Sequence, residues 1–184
     1  MGIRRRLASK RRGFTLAEVL VTLAIIAVMA AVLLPALNSQ LQKGDAGRLA
    51  SDLTNIQTAA QAFVSDVHRF PASVTELTTA LTSGSADLSS TTIPATLVAK
   101  WKGPYLAKDV VANTAGGVIS STFSSVAGAN AVNYLTVTVT GVSVTDFSNL
   151  EAILDEGTTS STSSTAGSIH YSGTTLTFLA LPIQ

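Results

Sequence analysis

The chain has no cysteine among its 184 residues. That absence removes disulfides, thiolate metal centres and cysteine nucleophiles, and leaves the redox compartment open. Charge is scarce at 12% of residues, and aromatics make up 5%. There are two histidines, His68 and His170, and neither has a catalytic or metal partner at a recognisable spacing. No Gly-x-Ser-x-Gly element, phosphate-cradling glycine loop or EF-hand spacing is present, so neither an enzyme nor a cofactor is expected. The many serines and threonines read as composition rather than chemistry. The length allows one modest domain plus an appendage.

What the chain has in abundance is apolar sequence, 46% of residues, much of it in one run. Phe14–Leu37, about 24 residues, would span about 36 Å as a helix, enough for a hydrocarbon core of about 30 Å. Charge divides around that run. Six of the twelve basic residues (Arg4, Arg5, Arg6, Lys10, Arg11 and Arg12) precede Phe14, and no acid does. From Phe14 onward, six basic residues face eleven acidic ones, a net charge of −5, which argues against nucleic-acid binding. The basic cluster favours a cytoplasmic amino terminus. A signal anchor and a secretory signal peptide both fit so far, with Val28-Met29-Ala30 an acceptable small-residue cleavage site for the latter. Glu18 fits neither comfortably, because an acid at a membrane-helix centre costs about 2.5–3.5 kcal/mol. Pro35 either ends the helix or bends it.

Arg11-Arg12-Gly13-Phe14-Thr15-Leu16-Ala17-Glu18 resembles the type III signal of type IV pilins and type II secretion pseudopilins. The resemblance implies cleavage after Gly13 by a prepilin peptidase and methylation of the new Phe14 amine. It implies a homo-oligomeric helical filament, with an inner-membrane assembly platform and other minor pilins or pseudopilins as partners. The chain would be anchored once in the bacterial inner membrane, its carboxyl-terminal domain periplasmic, before entering a periplasmic or extracellular filament. Gly13, lacking a side chain, lets a protease approach the backbone. Cleavage would create an amine with a reference pKa of about 7.7–8.0, and Glu18 lies four residues on along nearly the same face. In a bundle staggered by one turn, Glu18 of one subunit would meet Phe14 of its neighbour and set the register. The plainer reading makes Glu18 a tolerated polar residue at the cytoplasmic edge. Pilin-like subunits also carry a proline, here Pro35, that bends the helix or lets it melt.

The expected fold is α+β, a long amino-terminal helix packed by its outer half on a small antiparallel sheet. Its parts are a leader (1–13), an assembly helix (14–37), an amphipathic continuation (38–68) and a globular domain (69–184). After a break at Lys43-Gly44-Asp45, apolar Leu49, Leu53, Ile56, Ala60, Phe63 and Val67 recur every three or four residues. Asp45, Arg48, Asp52, Gln57, Gln61 and Asp66 occupy the other faces. His68-Arg69 suits a helix end, and Pro71 stops further winding.

Val74–Leu81 reads as a short helix and Ser83–Thr92 as a loop. Trp101-Lys102-Gly103-Pro104-Tyr105-Leu106 resembles a segment of major pseudopilins, as does Arg69-Phe70-Pro71. The Asp-Pro-Trp-Gly expected after Tyr105 is replaced by Val110–Gly117. Tyr134–Val144 alternates as a half-buried strand. Ile169-His170-Tyr171, Ser172-Gly173 and Thr175–Leu181 suggest a hairpin. Gly157–Gly167 reads as a flexible surface loop. Asp146, Glu151, Asp155 and Glu156 precede it; the resemblance implies calcium at such a loop, while a solvated acidic surface is the other reading. A minor, tip or DNA-uptake pilin, and a secreted enzyme or adhesin, are the rival functions.

Overall fold

The computed structural model describes residues 13–107, 116–128, 132–155 and 167–183. Its first element, α1 (Leu16–Val67), is a single helix of 52 residues. It runs without interruption through Pro35 and through Lys43-Gly44-Asp45. The expected break at 43–45 is therefore absent. Gly44 costs a helix up to about 1 kcal/mol relative to alanine, too little to stop winding when good helix formers flank it on both sides. The helix ends at His68, which takes the left-handed conformation (φ 58°) while its N–H donates to Val64 O at 2.9 Å. That is a helix-terminating turn, and it gives His68 a backbone role.

The chain divides into two compact units, residues 1–40 and 41–184. In the first, every described residue is exposed. The second contains the core. Ala46, Leu49, Ala50, Leu53, Ile56, Ala59, Ala60, Phe63 and Val67 of α1 are buried, a stripe with helical spacing. They share one apolar cluster with Leu135, Val137 and Val139 and with Leu176, Phe178 and Ala180.

Among the described residues the sheet has five antiparallel strands: β1 (Val118–Ile119), β2 (Ser124–Ala127), β3 (Asn133–Thr140), β4 (Ile169–Ser172) and β5 (Thr175–Ile183). The order is β1-β3-β5-β4, with β2 also paired to β3. β1 takes Val139 and Thr140, and β2 takes Asn133 to Thr136. The expected closing hairpin is present, Ser172 opposite Thr175. Gly173, at φ 67°, supplies the positive φ that a two-residue hairpin turn requires at its first central position.

Among the described residues, three further helices belong to the unit: α2 (Thr75–Thr78), α3 (Ala95–Val98) and α4 (Val144–Leu154). α2 falls inside the expected Val74–Leu81 segment. The expected strand Tyr134–Val144 is shorter at its carboxyl end than its alternation suggests. β3 stops at Thr140, Gly141 turns with φ 83°, and Ser143 caps α4 by accepting from Asp146 N. The 157–166 loop and most of Val110–Gly117 lie outside the described residues.

Candidate functional site

The amino-terminal segment presents an apolar cylinder with one carboxylate near its start. Phe14 is 88% exposed, and Leu16, Leu20, Ile26, Val32, Leu33 and Leu37 are all more than half exposed. Within α1 an 18-residue window reaches a mean hydropathy of 2.8, none of it buried, so the helix is long and apolar enough to cross a membrane.

Glu18 sits in the first turn and makes reciprocal bonds with Thr15. Its Oε2 accepts from Thr15 N at 2.8 Å and from Thr15 Oγ1 at 2.9 Å. Its own N–H donates to Thr15 Oγ1 at 3.2 Å. This is a capping box, the pattern Thr-x-x-Glu in which each side chain satisfies the other residue's amide. The capping signal is legible in the sequence as Thr15-x-x-Glu18 ahead of the apolar run. Gly13 and Phe14 precede the helix in non-helical backbone, and Pro35 lies inside α1.

The Trp101–Leu106 segment fastens the end of α1 to α2. Trp101 Nε1 donates to Glu76 O at 2.9 Å, and Tyr105 N donates to Leu77 O at 2.8 Å. Tyr105 Oη donates to Asp66 Oδ2 at 2.9 Å, and Lys102 Nζ pairs with Asp66 Oδ1 at 3.1 Å. The Tyr105 ring meets Phe63 and Trp101 edge-on, with centroids 5.8 and 5.7 Å away. A β-carbon at Gly103 would lie 2.5 Å from the Trp101 ring, so only glycine fits between the two aromatics. The Lys102 and Tyr105 hydrogen bonds hold the Asp66 carboxyl below its ordinary pKa. Burial raises that of Glu76.

The described acids proposed for calcium lie along α4. Asp146 is in the first turn of α4, Glu151 is buried on it and Asp155 caps its end; Glu156 lies outside the described residues. Among the described residues, no three histidine or acidic side chains are grouped to hold a metal.

These features define a class: a chain with a prepilin-type start, an apolar helix that fits an inner-membrane anchor, and a small α+β domain. A family profile described as the prokaryotic N-terminal methylation motif matches residues 8–34. The chain is similar to the type II secretion system core protein G of Escherichia coli (strain K12), 35% identical over 66 residues, which are 36% of this chain and 46% of that protein. It is likewise similar to the core protein G of Pectobacterium carotovorum subsp. carotovorum, 32% identical over 62 residues, 34% and 40% of the two chains. For that of Klebsiella pneumoniae the figures are 34% over 62 residues, 34% and 44%. The chain thus spans less than half the length of the curated relatives it matches. No solved structure matches it.

Proposed function

We propose that the chain is the structural subunit of a type IV pilus-like filament, of the type II secretion pseudopilin kind, and not an enzyme. A prepilin peptidase cuts between Gly13 and Phe14 and methylates the Phe14 amine. The subunit waits in the inner membrane, amino terminus cytoplasmic and globular domain periplasmic, until an assembly platform adds it to the filament. Homotypic contacts between apolar helices build the shaft, with minor pseudopilins as further partners.

The observation that carries this reading is the placement of Glu18. It is the one carboxylate on a fully exposed apolar helix segment, four residues from the site of the new amine. In lipid such an acid is costly. Beside the Phe14 ammonium of a neighbouring copy it becomes a register key, because a misaligned subunit leaves both charges unmatched in an apolar bundle. Pro35 supplies a weakened turn, since it donates no hydrogen bond to the preceding turn near Ala31, where the helix can bend or unwind as it leaves the bilayer.

The test is intact-mass and amino-terminal peptide analysis of the protein extracted from membranes of cells containing a prepilin peptidase. The expected chain begins at N-methylated Phe14. A chain beginning after Ala30, as a conventional signal peptide would leave it, or one still carrying residues 1–13, overturns the proposal.

A further inference from the structure

The resemblance to major pseudopilins implies calcium at the carboxyl-terminal loop, and the described residues beside that loop do not fit it. Calcium takes six to eight oxygen ligands at about 2.3–2.6 Å, with carboxylates supplying most of the charge. The acids near the loop are Asp146, Glu151, Asp155 and Glu156, and no acid follows Glu156 in the chain. Asp146 is engaged at the head of α4, accepting from Ser143 Oγ at 2.6 Å. Asp155 lies nine residues further on; at 1.5 Å per residue that separation is about 13 Å, so the two cannot share an ion. Glu151 is 5% exposed.

Asp155 is committed as well. Its Oδ1 accepts from Ser168 N at 2.9 Å and from Ser168 Oγ at 2.5 Å, and its Oδ2 accepts from Ser168 N at 3.0 Å and Ile169 N at 3.3 Å. Donors thus occupy both oxygens that a cation would need. The approach is close enough that a β-carbon on Gly167, itself at φ 88°, would run into the Asp155 carboxylate. Ser168 immediately precedes β4, an outer strand of the sheet, and Ile169 opens it.

We infer that a metal-free carboxylate clasp, Asp155 gripping Ser168 and Ile169, ties the end of α4 to the start of the closing hairpin in place of calcium. The same junction is held a second time by the stacked rings of Phe147 on α4 and Tyr171 on β4, 4.6 Å apart and 13° from parallel. Tyr171 Oη also donates to Val142 O at 3.0 Å. Together these hydrogen bonds and the ring stack join α4 to β4.

The experiment is thermal unfolding of the full chain in detergent, with excess EGTA or excess calcium chloride, on the wild type and on Asp155→Ala and Ser168→Ala variants. Wild type is expected to melt at the same temperature in both conditions. Asp155→Ala is expected to melt roughly 5 °C lower in both, and Ser168→Ala lower by a smaller margin. Equilibrium dialysis of radioactive calcium against the wild type, which does not depend on the variants folding, is expected to show no stoichiometric binding. Stoichiometric binding, a calcium-dependent rise in the wild-type melt, or an Asp155→Ala chain as stable as wild type would each overturn the inference.

Discussion

The side-chain amide of Gln57 donates to the carbonyl of Ala180 at 2.7 Å, closing a gap in the sheet from the helix that packs on it. Between Leu135 and Thr136 the ladder shifts: Leu135 faces Leu181 and Thr136 faces Leu179, so Ala180 has no opposite number on β3. A bulge leaves ladder groups unpaired, and a buried carbonyl without a donor costs about 1–3 kcal/mol. Ala180 is 3% exposed, so Gln57 supplies a donor where solvent has little access. Gln57→Ala is therefore expected to destabilise the domain by about 1–3 kcal/mol, read as a lower denaturation midpoint with unchanged slope. A stability equal to wild type would show that solvent reaches the carbonyl instead.

Gln57 also shows where sequence reading stopped. The stripe Leu49, Leu53, Ile56, Ala60, Phe63, Val67 is legible because burial follows the helical period. Gln57 fell among the polar faces, since its use depends on a bulge formed 123 residues away. α4 was missed for another reason. The alternation of Val137 and Val139 shifts face at Gly141 and resumes with Val142 and Val144 past the true end of β3, masking a helix start at Ser143 with Asp146 three residues on. β1, β2 and α3 have two to four residues each, and β2 is exposed throughout, so pairing with β3 defines it more than its own pattern does. At the amino terminus the order reverses: motif, apolar run and misplaced acid are all local in sequence.

Glu18 caps the start of α1 and is proposed to pair with a neighbouring ammonium, and substitution separates the two. Glutamine can serve in a capping box as glutamate does, but it brings no charge to a neighbouring ammonium. Glu18→Gln and Glu18→Ala are both expected to be inserted and cleaved after Gly13, and both to assemble poorly. Filament yield against processed membrane-bound subunit measures this. If Glu18→Gln assembles like wild type while Glu18→Ala does not, capping rather than charge pairing is what assembly needs.

Two acids in the globular unit impose opposite pH dependences. Asp66 is held below its ordinary value of 3.8 by Lys102 and Tyr105. Its contribution is fully present above that value and is lost as pH falls through the lowered folded pKa. Glu76 is raised above 4.5 by burial. It favours the folded state below 4.5, and that contribution is lost as pH rises through its raised folded pKa. Asp66→Asn is thus expected to flatten the acid limb of a melting-temperature profile. Glu76→Gln is expected to flatten the fall above pH 4.5, without loss of stability at neutral pH, provided its amide oxygen keeps the bond from Ala72 N. Parallel profiles for wild type and either variant would contradict the assignment of that residue.

Gly44 and Gly47 lie within α1 with nothing within 4 Å of the β-carbon each would carry as alanine. Neither has a positive φ, and neither makes room for a neighbour, so packing gives no reason for glycine at either place. Each costs a helix up to about 1 kcal/mol relative to alanine, chiefly through backbone entropy. The pair therefore keeps this stretch of α1 easier to unwind than its flanks. Gly44→Ala and Gly47→Ala are expected each to stabilise the helix by up to about 1 kcal/mol, and the two together to slow amide exchange locally between residues 40 and 50. Exchange measured by mass spectrometry on the detergent-solubilised chain resolves that window. Unchanged exchange there, with the variants folded as wild type, would show that the glycines do not weaken the helix.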